Sequence, residues 1–407
     1  MMWKREFGAS YYKSYDFLLT VLIVLTIVGL IAGRATIFTV IGLFAAYFIA
    51  YTVFDKRIKK NIILKNPKHM IRLFPGETDT LYFELENRSI YPTINGRFSF
   101  QTDSAIQSNE FSENVNQYWM RYHVPSSLIR RGKTLISLPI EANHRGTARI
   151  RNISYTFPHL FNFDKVDLHF VPFFKTEVIV YPTPKYVKGV ESVFEITPGS
   201  HPINFSPFED IQDRMGTRDY QYDDSFQRIN WKASAKTQNL QTNVYEKVID
   251  VSYVFIVNIG TNYDGVNLAQ YNENLENILS YTAYLCKYAT EKGFPFEVFI
   301  NARKPGKEPF HHLPEGEGQT QFAKALEMLA RIHRQSMIIP FDQMLHRVGK
   351  RLVKPQSIIV IGDVFSKEGQ IIESWTHKQK NISHVQSFGE KGGILIPWEN
   401  STWKNAE

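Results

Sequence analysis

Two uncharged runs near the N-terminus constrain this chain more than any other feature. FLLTVLIVLTIVGLIA, residues 17–32, and ATIFTVIGLFAAYFIAYTVF, residues 35–54, are separated only by Gly33 and Arg34. Each approaches the roughly 20 apolar residues that a helix needs to span a bilayer core. Two such runs in succession predict a transmembrane helical hairpin within residues 1–60, with spans at about 17–33 and 35–54. A cleaved signal peptide is the competing reading, but the first run is long for a signal core and the second follows at once.

Basic residues flank the hairpin unevenly. Lys4, Arg5 and Lys13 precede the first run, and Lys56, Arg57, Lys59, Lys60, Lys65 and Lys68 follow the second, with only Arg34 between them. The positive-inside rule places the N-terminus and everything after Lys56 in the cytoplasm. The same cluster can meet anionic headgroups, so the net charge of +7 needs no nucleic acid to explain it.

A length of 407 residues leaves room for two or three domains beyond the hairpin, and a 43% hydrophobic, 21% charged composition is globular. The single cysteine, Cys286, excludes an intramolecular disulfide. It sits in YTAYLCKYAT, which reads as a buried helix face rather than a catalytic thiol.

Residues 61–185 read as short strands. In ETDTLYFELENRS, Leu81, Phe83 and Leu85 alternate with Tyr82, Glu84 and Glu86, the period-2 pattern of a half-buried strand. LISLPIEA, TARIRNISYTF and TEVIVYP continue the theme, which predicts an antiparallel β-sandwich-like domain. His144 and His159 flank one of these strands without a carboxylate or cysteine at ligand spacing, so turn and packing roles are expected of them.

Residues 246–407 change pattern. VSYVFIVN, FPFEVFIN, SIIVIGD and ISHVQSFG are nearly continuous apolar runs, as in strands covered on both faces. Helical spacing lies between them at 268–291, 320–332 and 341–353, so a doubly wound α/β domain is expected. Ligands of such sheets sit beyond the carboxyl ends of the strands, here 258–262 and 363–365. The fold class is therefore α+β multidomain, with a linker and motif segment at 186–245.

That segment contains RDYQYDDSFQRINWKASAK, the densest mixture of charge, aromatic and amide side chains in the chain. With ENRS, HRGTARIRNISYTFPHLFNF and VIVYPTP, it resembles a widespread bacterial family of membrane proteins carrying domain of unknown function fifty-eight. The family motif is similar to R-E-Y-x-x-G-D-x-x-R-x-I-x-W-K-A-x-A-R. Arg218, Tyr220, Asp224, Ile229, Trp231, Lys232, Ala233 and Ala235 match it, while Asp219, Asp223, Gln227 and Lys236 depart from it. Asp223 stands where glycine is usual, and aspartate tolerates left-handed backbone better than most residues.

The resemblance implies an N-terminal pair of transmembrane helices, a β-rich segment, a von Willebrand A-like domain and association with a MoxR-type AAA+ ATPase. Domains of that class often hold Mg²⁺ through Asp-x-Ser-x-Ser, but here Asn258, Gly260 and Asn262 replace those ligands and only Asp363 keeps a carboxylate. No cofactor is expected at this degenerate metal site.

Arg218, Tyr220, Asp223, Asp224, Arg228, Asn230, Trp231, Lys232 and Ser234 are the candidate partner or domain-junction residues. In this reading arginine and aspartate pair, while Ile229 and Trp231 insert into a core. The acids at Asp219, Asp223 and Asp224 would repel phosphate, which argues against nucleic acid. The expected function is a membrane-anchored interaction or adaptor protein, not an enzyme, working with the ATPase on envelope components. The alternatives are a metal-dependent hydrolase using Asp219, Asp223 and Asp224, with Asp363, or a membrane-bound ligand sensor.

Overall fold

The computed structural model describes residues 2–6, 9–33, 35–116, 118–162, 164–194, 209–222, 224–247, 252–261, 270–271, 273–306, 308–352, 356–376, 381–387 and 392–400. It is a mixed α and β structure that divides into two compact units. The first is Met1–Thr183 with Leu326–His333, and the second is Pro184–Ala325 with Arg334–Glu407.

The first unit opens with a strand, Trp3–Glu6, followed by helices α1 (Ala9–Ala32) and α2 (Ala35–Asn61). Gly33 ends α1 at φ +60°, the left-handed conformation that lets a helix stop and the chain reverse. One segment, Phe38–Asn61, is long and apolar enough to cross a membrane, and α1 contributes a shorter apolar stretch, Asp16–Ile31. Leu30, Ile31, Leu43 and Ile49 are exposed, whereas Tyr51, Phe54 and Ile58 are buried. The last three turns of α2 therefore belong to the core of the first unit.

That core lies between antiparallel sheets. One runs in the order Trp3–Glu6, Lys165–Phe170, Arg151–Pro158, Arg97–Asp103, Trp119–Pro125, Ser112–Asn116. A four-stranded sheet carries Ile62–Leu64, Thr78–Asn87, Gly132–Ala142 and Ile106–Gln107. Leu81, Phe83 and Leu85 point inward as their alternation requires, and the Phe83 ring lies 5.0 Å from Phe98 and 4.8 Å from Phe100 of the other sheet.

A three-stranded sheet departs from the antiparallel expectation, because Met70–Leu73 pairs parallel with Glu177–Val180. Roughly a hundred residues connect the two strands, so no tight turn imposes an antiparallel partner. Arg145 is buried and donates to the backbone carbonyls of Leu329 (2.9 Å) and Ile332 (2.5 Å) of the same unit.

His159 packs among aromatic rings, its centroid 4.7 Å from those of Tyr51 and Phe54. Its companion carboxylate is Asp55 of α2, far away in the chain: His159 Nε2 lies 3.0 Å from Asp55 Oδ1, and the Arg5 guanidinium donates to that same oxygen. All three side chains are buried. The backbone N–H of Phe161 donates to His159 Nδ1 (3.2 Å), so Nε2 carries the proton that points at Asp55.

The second unit contains a seven-stranded sheet. Its central part runs Phe310–Gly316, Phe296–Arg303, Tyr253–Val257, Ser357–Ile361, Ile382–Ser387, with Gly393–Pro397 and Val187–Lys188 beyond. The strands Tyr253–Val257 and Ser357–Ile361 are buried at every position, so both faces are covered. The unit's helices are α3 (Val190–Phe194), α4 (Trp231–Thr237), α5 (Leu275–Glu291), α6 (Gly318–Ala330) as far as Ala325, α7 (Phe341–Gly349) and α8 (Ser366–Thr376). Met344 and Val348 of α7 and Ile372 of α8 pack with Val254, Ile256, Ile358 and Val360. The expected helices begin and end within a few residues of 318–330 and 341–349, but α5 starts at Leu275 rather than 268, and 262–269 lie outside the described residues.

Candidate functional site

The motif segment folds as a small lobe of the second unit. Glu209–Asp219 pairs antiparallel with Gln241–Lys247, and the 3₁₀ turn Phe226–Arg228 and α4 fill the connection. Asp223 lies outside the described residues.

Asp224 organises the first half of this connection. The Arg218 guanidinium grips it with two parallel bonds, Nη1 to Oδ2 at 2.8 Å and Nη2 to Oδ1 at 2.6 Å, the bidentate geometry suited to a carboxylate. The Gln221 backbone N–H donates to Oδ2 at 2.9 Å, and the Tyr220 hydroxyl donates to the Asp224 carbonyl at 3.1 Å. The Gln221 N–H, then the Arg218 guanidinium, hold the carboxyl below the ordinary carboxylate range.

Asn230 and Ser234 organise the second half. Asn230 caps α4, accepting from the Ala233 N–H at 3.0 Å, and its amide donates to Asn243 Oδ1 at 2.9 Å. Ser234 Oγ donates to the Asn230 carbonyl at 2.8 Å and accepts from the Gln241 N–H at 2.8 Å, which ties the helix to the returning strand. Asp219 accepts from the Gln241 side-chain amide. Ile229 is buried and bridges to Thr242.

Trp231 does not insert into a core. It is 68% exposed, and Tyr222 and Phe226 are exposed with it, while Arg228, Lys232 and Lys236 lie on the same short stretch. The physical reason is position: Trp231 is the first residue of a helix of seven, and the faces of α4 that meet the strands are taken by Ser234 and the Asn230 cap. The polar residues build the lobe, and the aromatic residues face outward from it. The acids of this run that the structure describes are acceptors in structural bonds.

The second candidate site is the carboxyl end of the central strands, where chain order reverses between Tyr253–Val257 and Ser357–Ile361. Asn258 is buried and both ends of its amide are engaged. Nδ2 donates to the Asp363 carbonyl at 2.7 Å, and Oδ1 accepts from Asn301 Nδ2 at 2.7 Å and from the Gly260 N–H at 3.0 Å. Asn301 Oδ1 accepts from the Ile259 N–H at 2.8 Å. Gly362 adopts φ +103°, and a Cβ there would lie 2.2 Å from the Asn258 carbonyl oxygen, so no other residue fits. His384 donates to the Gly362 carbonyl at 2.8 Å, and burial lowers its pKa below the ordinary 6.5.

This donor set does not fit a hard cation. An amide network occupies the place of the ligands, with the exposed Asp363 beside it, and Asn262 lies outside the described residues. Among the described residues no group of three or more His, Cys, Asp or Glu side chains is arranged to hold a metal ion.

Asn301 is the residue the sequence reading missed. VSYVFIVN and FPFEVFIN both end in asparagine, and the parallel register that pairs Val257 with Ile300 sets those two amides side by side.

No protein-family model matches the chain, and no curated protein matches it. Similar solved structures include a Salmonella alpha-2-macroglobulin mutant, at 16% identity and TM-score 0.20, over 31% of this chain and 7% of that one. The C-terminal domain of wzt is similar at 6% identity and TM-score 0.20, over 31% of this chain and 73% of that one. A β-glucosidase from Listeria innocua is similar at 12% identity and TM-score 0.18, over 29% of this chain and 16% of that one. At such scores nothing about fold or function follows.

Proposed function

We propose that this chain is a membrane-anchored adaptor of two spans, with a cytoplasmic body that presents the Trp231 lobe to a protein partner. The observation that carries the partner reading is the exposure of Trp231, at 68%, on a lobe held by the Arg218–Asp224 pair and the Asn230 cap. Exposed tryptophan on a rigid, hydrogen-bonded support is the residue type that dominates binding energy at protein interfaces. The resemblance to the fifty-eight family makes a MoxR-type AAA+ ATPase the partner to test. The reading of the second unit as von Willebrand A-like draws support from its central strand order, third, second, first, fourth, fifth in chain order.

Strand pairing supports the hairpin independently of charge. Trp3–Glu6, before α1, pairs with Lys165–Phe170, and Ile62–Leu64, after α2, pairs with Thr78–Asn87. Both flanks of the apolar pair lie in one folded unit, which requires an even number of crossings. The basic flanks then favour the cytoplasmic side for that unit.

The test is co-capture of the ATPase from cells with the full-length protein in mild detergent. Trp231→Ala is expected to lower recovery at least tenfold while leaving thermal unfolding unchanged, because the side chain is exposed. Equal recovery with the variant, or no ATPase with either protein under several nucleotide conditions, overturns the reading. Proteolysis of sealed vesicles tests the orientation: digestion of the body from the outer face contradicts it.

A further inference from the structure

Three connections emerge at one end of the sheets of the first unit: 88–96, 126–131 and the turn at 159–162. The first two are joined by the paired bonds between Thr93 and Leu128 (2.9 Å each) and by the Arg131 N–H to the Ser89 carbonyl (3.0 Å), and the Tyr91 ring lies 6.3 Å from that of Phe161 in the third. They also line α2 from its end upward. The Arg88 N–H donates to the Asn61 carbonyl at 2.8 Å, the Tyr91 ring lies 5.4 Å from Phe54, and the Tyr47 hydroxyl donates to the Phe161 carbonyl at 3.1 Å. Asn61 and Tyr47 are about 20 Å apart along the helix. The rim thus climbs from the end of α2 to the level of Tyr47, beside Leu43 and Ile49, where the exposed apolar belt of the helix begins.

The side chains that this rim turns outward are of two kinds. Ile90, Ile94, Ile129 and Leu160 are exposed, Ile129 at 64%. Arg130 and Arg131 are exposed alongside them. Backbone bonds at the neighbouring residues Ser89, Thr93, Leu128 and Arg131 fix the two longer connections, so Ile90, Ile94 and Ile129 are held in water by an ordered frame. A single exposed aliphatic residue is ordinary, but four on one rim, continuous with the apolar belt of a helix and interspersed with arginine, form a patch.

We propose that this rim is a contact with the bilayer surface. Ile94, Ile129 and Leu160 sit at the boundary of headgroups and acyl chains, and Arg130 and Arg131 reach the phosphates of anionic lipid. Aliphatic loop tips gain by leaving water at that depth, and a basic residue near an anionic leaflet is attracted to its negative surface potential. The contact would hold the first unit upright against the membrane instead of leaving it to swing on α2. It rests on the two-span reading above.

The single native cysteine, Cys286, is buried, so one introduced cysteine can be labelled selectively. Ile94→Cys, Ile129→Cys and Leu160→Cys are each labelled with an environment-sensitive fluorophore and reconstituted, as full-length protein, into vesicles containing phosphatidylglycerol. Leu43→Cys, on the exposed belt of α2, reports insertion. Val171→Cys, exposed and following the sheet strand at the end where Met2 bonds its N–H (2.9 Å), reports the opposite end of the unit. Lipid-borne quenchers are expected to reduce emission at least twofold at 43, 94, 129 and 160 and to leave 171 unchanged.

Quenching at 43 without quenching at 94, 129 and 160 overturns the rim proposal and leaves the membrane reading standing. No quenching at 43 overturns the membrane reading itself. Labels at the rim that shift to the blue without lipid quenching indicate a second copy of the protein on the rim, and that also overturns the proposal. Reversal of charge in Arg130→Glu with Arg131→Glu is expected to halve the quenching at 129 in anionic vesicles and to leave it unchanged in phosphatidylcholine.

Discussion

The buried triad of Arg5, Asp55 and His159 is where one substitution should cost most. Asp55 Oδ1 accepts from both the Arg5 guanidinium and His159 Nε2, and each of the three side chains is at most 9% exposed. Asp55→Ala leaves the Arg5 guanidinium in the core without its carboxylate, at about 3–5 kcal/mol. It also removes the His159 hydrogen bond, at about 1 kcal/mol. The sum, about 4–6 kcal/mol, is a large part of the roughly 5–15 kcal/mol that holds a domain folded. In thermal unfolding of the detergent-solubilised protein, this corresponds to a fall of about 10–20 °C for the transition of the first unit.

The paired replacement is the sharper test. Arg5→Met with Asp55→Leu removes both charges and fills the space, and replacement of a buried ion pair by apolar side chains is often neutral or stabilising. The double variant should therefore recover all but about 1 kcal/mol, the share of the His159 bond. A single variant costing less than about 1 kcal/mol, or a double variant costing as much as the two singles together, would refute the reasoning.

Three further outcomes are expected. Burial holds His384 neutral in the fold, whereas the unfolded chain takes up a proton below about pH 6.5; stability should therefore fall as pH drops below that value, by up to about 1.4 kcal/mol per pH unit for this group. His384→Gln, whose amide can still donate to Gly362, should flatten the slope of stability against pH just below about 6.5, and an unchanged slope would count against the argument. Asn230→Ala should cost about 1–3 kcal/mol from the lost cap and the lost bond to Asn243, read as faster hydrogen exchange across α4. Asn230→Asp, which keeps the acceptor, should recover the cap, and equal exchange in both variants would exclude a capping role. Cys286 is buried, and burial raises its thiol pKa far above the ordinary value, so it should resist maleimide until denaturant unfolds the second unit. Rapid labelling of the folded protein would contradict that placement.

Much of the architecture is legible in local pattern. The alternation through Leu81, Phe83 and Leu85 places a strand and its buried face, and the continuous apolar runs around 253–257 and 357–361 place strands covered on both sides. The motif was legible as a unit, and its polar residues do pair locally, as with Arg218 and Asp224 six residues apart. The direction of Trp231 was not legible. A short helix capped at Asn230 can turn its first residue inward or outward, and the choice depends on the returning strand that Ser234 meets.

By itself the sequence determined the features set by short-range physics: the two apolar helices, the period of the strands and the loss of a metal-ligand carboxylate at Asn258. Only the tertiary structure decided what those residues touch. It joined Asp55 to His159 across a separation of 104 residues, set Asn301 against Asn258, paired Met70–Leu73 parallel with Glu177–Val180, and returned the strand before α1 to the sheet of the body. Hydropathy and turn chemistry act over a few residues of chain, whereas partners brought together by sheet register and core packing carry no mark of one another in the local sequence.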